Sequence, residues 1–181
     1  MQQPVVEYTI DSKDALASVN AEWDEFAREN DGGAVMADRV LGRPIWDFIE
    51  GAKTVLFYRM VFLGCRETGV TTRFDFRCDS PGVRRVLCME IIPGANGALT
   101  FRNEILSISD MSADPRVLSF RQYADRNRCA ICGSIKIGEE WIDIFDFSER
   151  RIEVGGYDIC ESCRQKARRQ GPATLLEFPK K

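Results

Sequence analysis

The apolar and polar residues near the start of the chain predict a β-hairpin. The segment VVEYTI (5–10) is rich in strand-forming residues and is followed by the turn residues DSKD. A second apolar-rich stretch, ALASVN (15–20), comes after that turn. Two short strand-like runs on either side of a turn signal are typical of paired antiparallel strands.

The apolar spacing then changes to that of helices. In AEWDEFAREN (21–30), Trp23 and Phe26 lie on one apolar face, acidic residues come early, and the sequence DGG ends the run. Residues 34–51 are mixed and contain a Gly-Arg-Pro break. The segment AKTVLFYRMVFLGCRETG (52–69) predicts a longer helix that ends at its final glycine.

Three further strands follow. TTRFDFRCDS (71–80) alternates polar and apolar residues, as a half-buried strand does. VRRVLCMEIIPG (83–94) and ALTFRNEILSISDM (98–111) predict two more strands, separated by the turn ANG. Two groups of strands around a helical middle predict an α+β fold with a mostly antiparallel sheet.

Composition and charge narrow the class of protein. The 181 residues suffice for one domain and a small module, and the net charge of −3 does not indicate a nucleic-acid partner. Apolar runs fall short of the roughly 20 residues that cross a membrane. The N-terminal residues lack the basic start and apolar core of a signal peptide, so we expect a cytoplasmic protein.

The chain contains seven cysteines and no histidine. The absence of histidine excludes Ser-His-Asp and Cys-His catalytic groups, histidine-ligated haem and Cys₂His₂ fingers. A reducing compartment disfavours disulfides. Cys65, Cys78 and Cys88 stand alone among apolar or strand-like neighbours, and we expect them to be small buried residues.

The order of elements over residues 5–111 resembles the PAS sensor family. The similarity rests on three stretches: ASVNAEWDEFARENDG (17–32), with Asn20 at the step from strand to helix, VLGRPIWDFIEG (40–51), and VRRVLCMEIIPGANGALTFRNEIL (83–106). The resemblance implies a five-stranded antiparallel sheet with helices on one face. It also implies sensing, dimerisation or signal relay rather than catalysis.

Departures from the family pattern limit which cofactors a PAS-type domain of this sequence could bind. The segment GRPIWDFIEG (42–51) lacks the cysteine with which flavin photosensors form an adduct, and no histidine is present to hold haem. A family-type cavity would hold an unidentified small ligand or only side chains. Eight aromatic residues are candidates either for its lining or for ordinary core packing: Trp23, Trp46, Phe48, Phe57, Tyr58, Phe62, Phe74 and Phe76.

The strongest chemical signal is a pair of Cys-x-x-Cys motifs. Cys129 and Cys132 are followed, after 27 residues (133–159), by Cys160 and Cys163. Two residues between cysteines allow one tight turn to present both sulfur atoms to one metal ion, and two such turns complete a tetrahedral site that suits structural Zn²⁺. Iron in a Cys₄ site and redox-active thiols remain alternatives.

The module resembles a zinc ribbon, and also the short Cys₄ tails that follow some bacterial PAS-type sensor domains. Its spacer exceeds the usual length of about 15–20 residues. Alternation in SIKIGEEWIDIF (134–145) predicts short strands within it. Four thiolates fill the coordination shell of zinc, whereas a catalytic zinc keeps an open position, so we expect a structural site and no enzyme.

These observations predict a domain plan and a function. The plan is a PAS-like sensor or interaction domain (1–111), a partly helical linker (112–127), a Cys₄ zinc module (128–171) and a tail (172–181). The predicted function is cytoplasmic signalling through a protein partner or a homodimer.

Two alternatives remain for that function. One is a nucleic-acid-binding regulator that uses the ribbon and the basic segment RQKARRQ (164–170), although the same module is rich in acidic residues. The other is a thiol and zinc redox switch at the four cysteines.

Overall fold

The computed structural model describes residues 4–30 and 32–170. Residue 171 of the predicted Cys₄ module and the predicted tail (172–181) lie outside the described residues. The predicted hairpin is confirmed, because strand β1 (Val5–Ile10) pairs antiparallel with strand β2 (Leu16–Val19). The Asp11 carboxylate accepts hydrogen bonds from the N–H groups of Lys13 and Ala15 and so shapes the turn between them.

Helix α1 (Ala21–Glu29) begins after Asn20, where the sequence places a step from strand to helix. The Asn20 side chain accepts a hydrogen bond from the N–H of Glu7 and donates one to the carbonyl of Val5. It therefore ties the start of α1 to strand β1. The mixed segment that follows forms three short helical pieces: a 3₁₀ turn (Gly33–Val35), helix α2 (Ala37–Val40) and a second 3₁₀ turn (Ile45–Phe48).

The predicted long helix is confirmed as α3 (Ala52–Thr68). It ends at Gly69, whose φ of 67° lies in the left-handed region that glycine adopts without strain. Its buried side, which includes Phe57, Val61 and Phe62, packs against the sheet. None of the described helices combines the length and the apolar composition needed to cross a membrane.

The three predicted later strands are also confirmed, as β3 (Thr72–Arg77), β4 (Val83–Pro93) and β5 (Leu99–Asp110). They join β1 and β2 in a five-stranded antiparallel sheet with the order β2-β1-β5-β4-β3. The fold is therefore α+β with a five-stranded antiparallel sheet, as the sequence predicts. Strands β2 and β3 are its two edges.

One face of the sheet carries the core and the other carries charges. Alternate residues on the core face are buried, among them Phe74, Ile91 and Phe101. On the opposite face, charges of alternating sign lie across four adjacent strands in register: Glu7, Arg102, Glu90 and Arg73. Opposite charges on neighbouring strands suit a solvent-facing surface.

Aromatic side chains fill much of the space between α3 and the sheet. Phe62 contacts Trp46 and Phe101 at ring-centroid distances of 5.3 and 5.2 Å, and Phe57 meets Phe74 edge to face at 6.0 Å. Phe57, Phe62 and Phe74 are at most 3% exposed. For these residues core packing, the second of the two roles that the sequence left open, is therefore correct.

The expectation of a partly helical linker at 112–127 is wrong. Strand β6 (Val117–Phe120) lies there and pairs in parallel with β10 (Arg151–Val154). The buried Ile152 and Val154 of β10 form a small second core with Ile135 and Ile144. The partner of β6 lies over thirty positions further along the chain, so nothing in residues 112–127 alone indicates this pairing.

The remaining elements surround the cysteine pairs. Strands β7 (Asn127–Cys129), β8 (Ile135–Ile137), β9 (Glu140–Ile142) and β11 (Gly156–Asp158) form a sheet of order β11-β7-β8-β9, so the predicted short strands are present. Helix α4 (Glu161–Gln170) closes the described chain and packs beside β3.

Candidate metal centre

The fold brings all four predicted ligands into one cluster. The Sγ atoms of Cys129, Cys132, Cys160 and Cys163 lie within 4.8 Å of one another. The two Cys-x-x-Cys motifs are therefore neighbours in space despite the residues between them. Such a group could hold a metal ion.

The first pair is presented by a tight turn after strand β7. The N–H of Gly133 donates to the carbonyl of Cys129 at 3.0 Å, and the N–H of Cys129 donates to the carbonyl of Ser134 at 2.7 Å. Gly133 has a φ of 75°, in the left-handed region that glycine adopts without strain. A Cβ at this position would also approach Arg128 and Asp79 to 3.3 Å.

The second pair lies at the start of helix α4. The N–H of Cys163 points at the Sγ of Cys160, and the N–H of Cys160 points at the Sγ of Cys129, each at 3.4 Å. The Oγ of Ser134 lies 3.3 Å from the Sγ of Cys132. These donors would stabilise negatively charged sulfur atoms.

The cluster is shielded from solvent on all but one side. Cys129, Cys160 and Cys163 are at most 6% exposed, whereas Cys132 is half-buried. Hydrogen bonds from the other sulfur atoms, that of Cys129 first, lower the pKa of the Cys132 thiol. Hydrogen bonds to its three cysteine neighbours, again Cys129 first, raise the pKa of Cys163.

Thiolates this close together repel one another, and a bound cation would offset that repulsion. The Sγ atoms of Cys132 and Cys160 are 3.8 Å apart. Tetrahedral zinc, with Zn–S bonds of about 2.3 Å, requires sulfur atoms about 3.8 Å apart. The type of donor atom and this Sγ–Sγ distance therefore both suit an ion bound tetrahedrally by the four cysteines.

The three isolated cysteines lie elsewhere. Cys65 and Cys88 are buried, as expected, and Cys78 is only partly buried. The Cys65 thiol donates to the hydroxyl of Thr72 at 3.1 Å, and burial raises its pKa. None of the three belongs to the four-sulfur cluster.

A buried ion-pair network joins the cluster to the sheet, and sequence reasoning missed it. The Arg77 guanidinium contacts the carboxylate of Asp79 at 2.6 and 2.8 Å and that of Asp143 at 2.7 Å. Arg77 and Asp79 have side chains only 6% exposed. Arg128, beside the first ligand, reaches the same Asp79 carboxylate at 3.5 Å. No local motif signals this contact, because Asp143 lies 66 residues from Arg77.

The cluster also shares one hydrophobic core with the sheet. A single buried group contains Phe57 and Phe74 together with Ile131, Ile159 and Cys163. Helix α4 contributes Ala167 to it. The four cysteines are thus part of the main core of the molecule, next to strand β3.

The basic side chains of the segment 164–170 lie on α4 around the buried Ala167. Arg164 contacts Asp158 at 3.2 Å, and Arg168 lies 4.0 Å from Glu161. Acidic residues of the same module therefore offset part of its charge.

Comparisons with known proteins establish no family for this chain. No family model and no curated protein matches it. Among solved structures, a sensory box sensor histidine kinase from Vibrio cholerae superposes with a TM-score of 0.42 and 8% sequence identity. The match covers 60% of this chain and 86% of that one. A likeness at this level does not establish a shared function.

Proposed function

We propose that this chain is a cytoplasmic signalling protein, in which a PAS-like sensor or interaction domain is joined to a structural Cys₄ zinc module. One observation carries the proposal: Cys129, Cys160 and Cys163 belong to the same buried core as the sheet and α3, and Cys132 packs against it. A change in packing on one side of that core would alter the other side, because tightly packed interiors transmit strain.

The choice of zinc rests on the donor set. Four thiols with no histidine or carboxylate among them suit Zn²⁺ or iron, and zinc is the usual ion of closed structural sites. When bound, the ion would cross-link the turn at Cys129–Cys132 to the start of α4. We assign it no catalytic role, since four thiolates leave no position for water.

The proposed output is a protein partner or a change of oligomer. The proposed change in packing would pass from the core contact between α3 and the cysteine turns to the surface around strand β3. Within residues 112–127, which the sequence suggested as the connecting linker, Val117–Phe120 are held by pairing between β6 and β10. We therefore place the coupling in the shared core rather than in that segment.

Elemental analysis and native mass spectrometry of gently purified protein test the metal and the oligomeric state together. We expect one zinc ion per chain. Hydrogen exchange of strands β3 to β5 before and after zinc removal then tests the coupling. Faster exchange in these strands is expected. Unchanged exchange in a zinc-free chain would contradict transmission through the core.

A thiol and zinc redox switch is a second candidate, favoured by the partial exposure of Cys132. In such a switch hydrogen peroxide would take two electrons from two thiolates, giving one disulfide and, with two protons, two water molecules. Zinc would leave as its ligands are consumed. Zinc release by peroxide that a dithiol reductant reverses would support this function. A centre that keeps its zinc under peroxide would exclude it.

A further inference from the structure

Strand β3 is an edge of the five-stranded sheet, and helix α4 packs beside it. At the opposite edge, residues after α2 cover β2: the N–H of Leu16 bonds to the carbonyl of Arg43, and the N–H of Gly42 bonds to the carbonyl of Leu16. On β3, among the residues that the structure describes, the corresponding backbone contact is made only at the final residue, where the N–H of Arg77 donates to the carbonyl of Ile131 at 2.7 Å.

The direction of the remaining backbone groups follows from that bond. In an antiparallel pair, alternate residues turn their N–H and C=O groups away from the partner strand. The register of β3 with β4 is regular throughout. Because the backbone N–H of Arg77 points away from β4, the backbone N–H and C=O groups of Arg73 and Asp75 do so too. Within the described residues, no hydrogen bond to the backbone of Arg73 or Asp75 is present.

A groove with a volume of about 490 Å³ runs beside this edge. The partly buried Phe76 and Val86 contribute apolar surface to it, and Asp75 lies on its strand side. An extended peptide placed here would find both backbone partners and apolar side-chain contacts. These are the two requirements for strand addition to a sheet edge.

The charge around the groove is asymmetric. Helix α4 contributes the exposed cations Lys166 and Arg169 to its rim. Arg84 and Asp143 also line the groove and pair with each other at 3.3 Å. Asp75 and Arg77 also line the groove, so its cations outnumber its carboxylates, which favours an acidic ligand.

We propose that an extended segment of a partner protein, with alternating apolar and acidic side chains, adds as a strand to the β3 edge. Its backbone pairs with Arg73 and Asp75, its apolar side chains contact Phe76, and its negative charge complements the cations of α4 at the rim. The inference deepens the proposed signalling function, on which it rests, by naming the partner chemistry.

Two labelled hexapeptides test this on the full, zinc-loaded chain: one alternating valine with glutamate, one alternating valine with lysine. We expect the acidic peptide to bind about tenfold more tightly, as two exposed ion pairs replace two repulsions. Binding should slow hydrogen exchange at the amides of Arg73 and Asp75. Fluorescence anisotropy gives the affinities.

A charge-reversed chain separates the groove from general charge effects. Lys166→Glu with Arg169→Glu should abolish or invert the preference for the acidic peptide. Arg28→Glu with Arg39→Glu makes the same change in net charge on exposed positions of α1 and α2, and should leave the preference intact. Equal effects of both double variants would overturn the proposal.

Other occupants would also overturn it. Edge amides that become protected with rising protein concentration, without peptide, would assign the edge to a second copy. Tenfold tighter peptide binding after Leu175→Asp with Leu176→Asp would assign the groove to the chain's own C-terminal residues. If neither peptide binds while zinc removal still loosens β3 to β5, the groove proposal fails and the proposed signalling function stands.

Discussion

The backbone N–H of Arg77 donates a 2.7 Å hydrogen bond to the carbonyl of Ile131. This bond joins the last residue of a sheet strand to the middle of the first Cys-x-x-Cys turn. The Arg77 side chain strengthens the connection through Asp79 and Asp143. The cysteine cluster and the sheet are therefore directly connected at this point by backbone and side-chain hydrogen bonds.

Replacing one predicted ligand should affect both parts of the molecule. We expect Cys132→Ser to lose most of its zinc and to speed hydrogen exchange in β4 and β5 as well as in the module, because the cysteines share their core with the sheet. Zinc content and amide exchange measure the two effects. Cys78→Ser, outside the cluster, is the control and should keep its zinc. A variant that loses zinc but retains native exchange in the sheet would show that the module is an independent unit.

Removing the central arginine of the buried network should be costly. Arg77→Met leaves the carboxylate of Asp79, which is only 6% exposed, without its main partner. Breaking a buried ion pair on one side costs about 3–5 kcal/mol. Arg102→Met removes an exposed arginine from its pairs with Glu7 and Glu90 and should cost at most about 1 kcal/mol. Urea unfolding of both variants checks the difference, and equal losses would contradict the assigned role of Arg77.

Two neighbouring residues of α3 test which side of the helix carries the core. Phe57 is fully buried, and Phe57→Ala should lower the free energy of unfolding by about 3–5 kcal/mol. Leu56 is 44% exposed, and Leu56→Ala should change it by about 0.5 kcal/mol at most. Denaturant titration distinguishes them. A reversed order of the two losses would mean that the helix packs through its other side.

Asp143 should make part of the stability depend on pH. Burial alone raises the pKa of its carboxyl group, but hydrogen bonds from Arg77 and from the N–H of Phe145 outweigh burial and hold the pKa below its ordinary value. Its contribution is therefore fully present above the ordinary pKa of about 3.9 and is lost as the pH falls through the lower, folded-state value.

The variant Asp143→Asn isolates that contribution. Wild type should be more stable than Asp143→Asn at neutral pH, and the difference should vanish in acid. Urea midpoints of both chains across this pH range measure it. Acid-induced metal loss affects both chains alike and cancels in the difference. A gap that widens in acid would contradict the stated direction of the pKa shift.

Local patterns determined much of this structure. The period of apolar residues was enough to predict the first hairpin, α1, α3 and the three long strands, because each pattern reports which side of one element is buried. The Cys-x-x-Cys spacing was enough to predict that Cys129, Cys132, Cys160 and Cys163 would form one cluster. Each tight turn holds two sulfur atoms close together, and a tetrahedral site needs two such turns.

Contacts between distant segments were decided only by the tertiary structure. The pairing of β6 with β10, the network of Arg77 with Asp79 and Asp143, and the core shared by Phe57 and Cys163 all join distant parts of the chain. Such contacts produce no pattern in either segment's sequence, because nothing in one segment indicates which distant strand, charged residue or apolar residue it will contact. The sequence therefore predicted the parts and the four cysteines of the cluster, whereas folding determined that this cluster lies at the main core beside the edge strand β3.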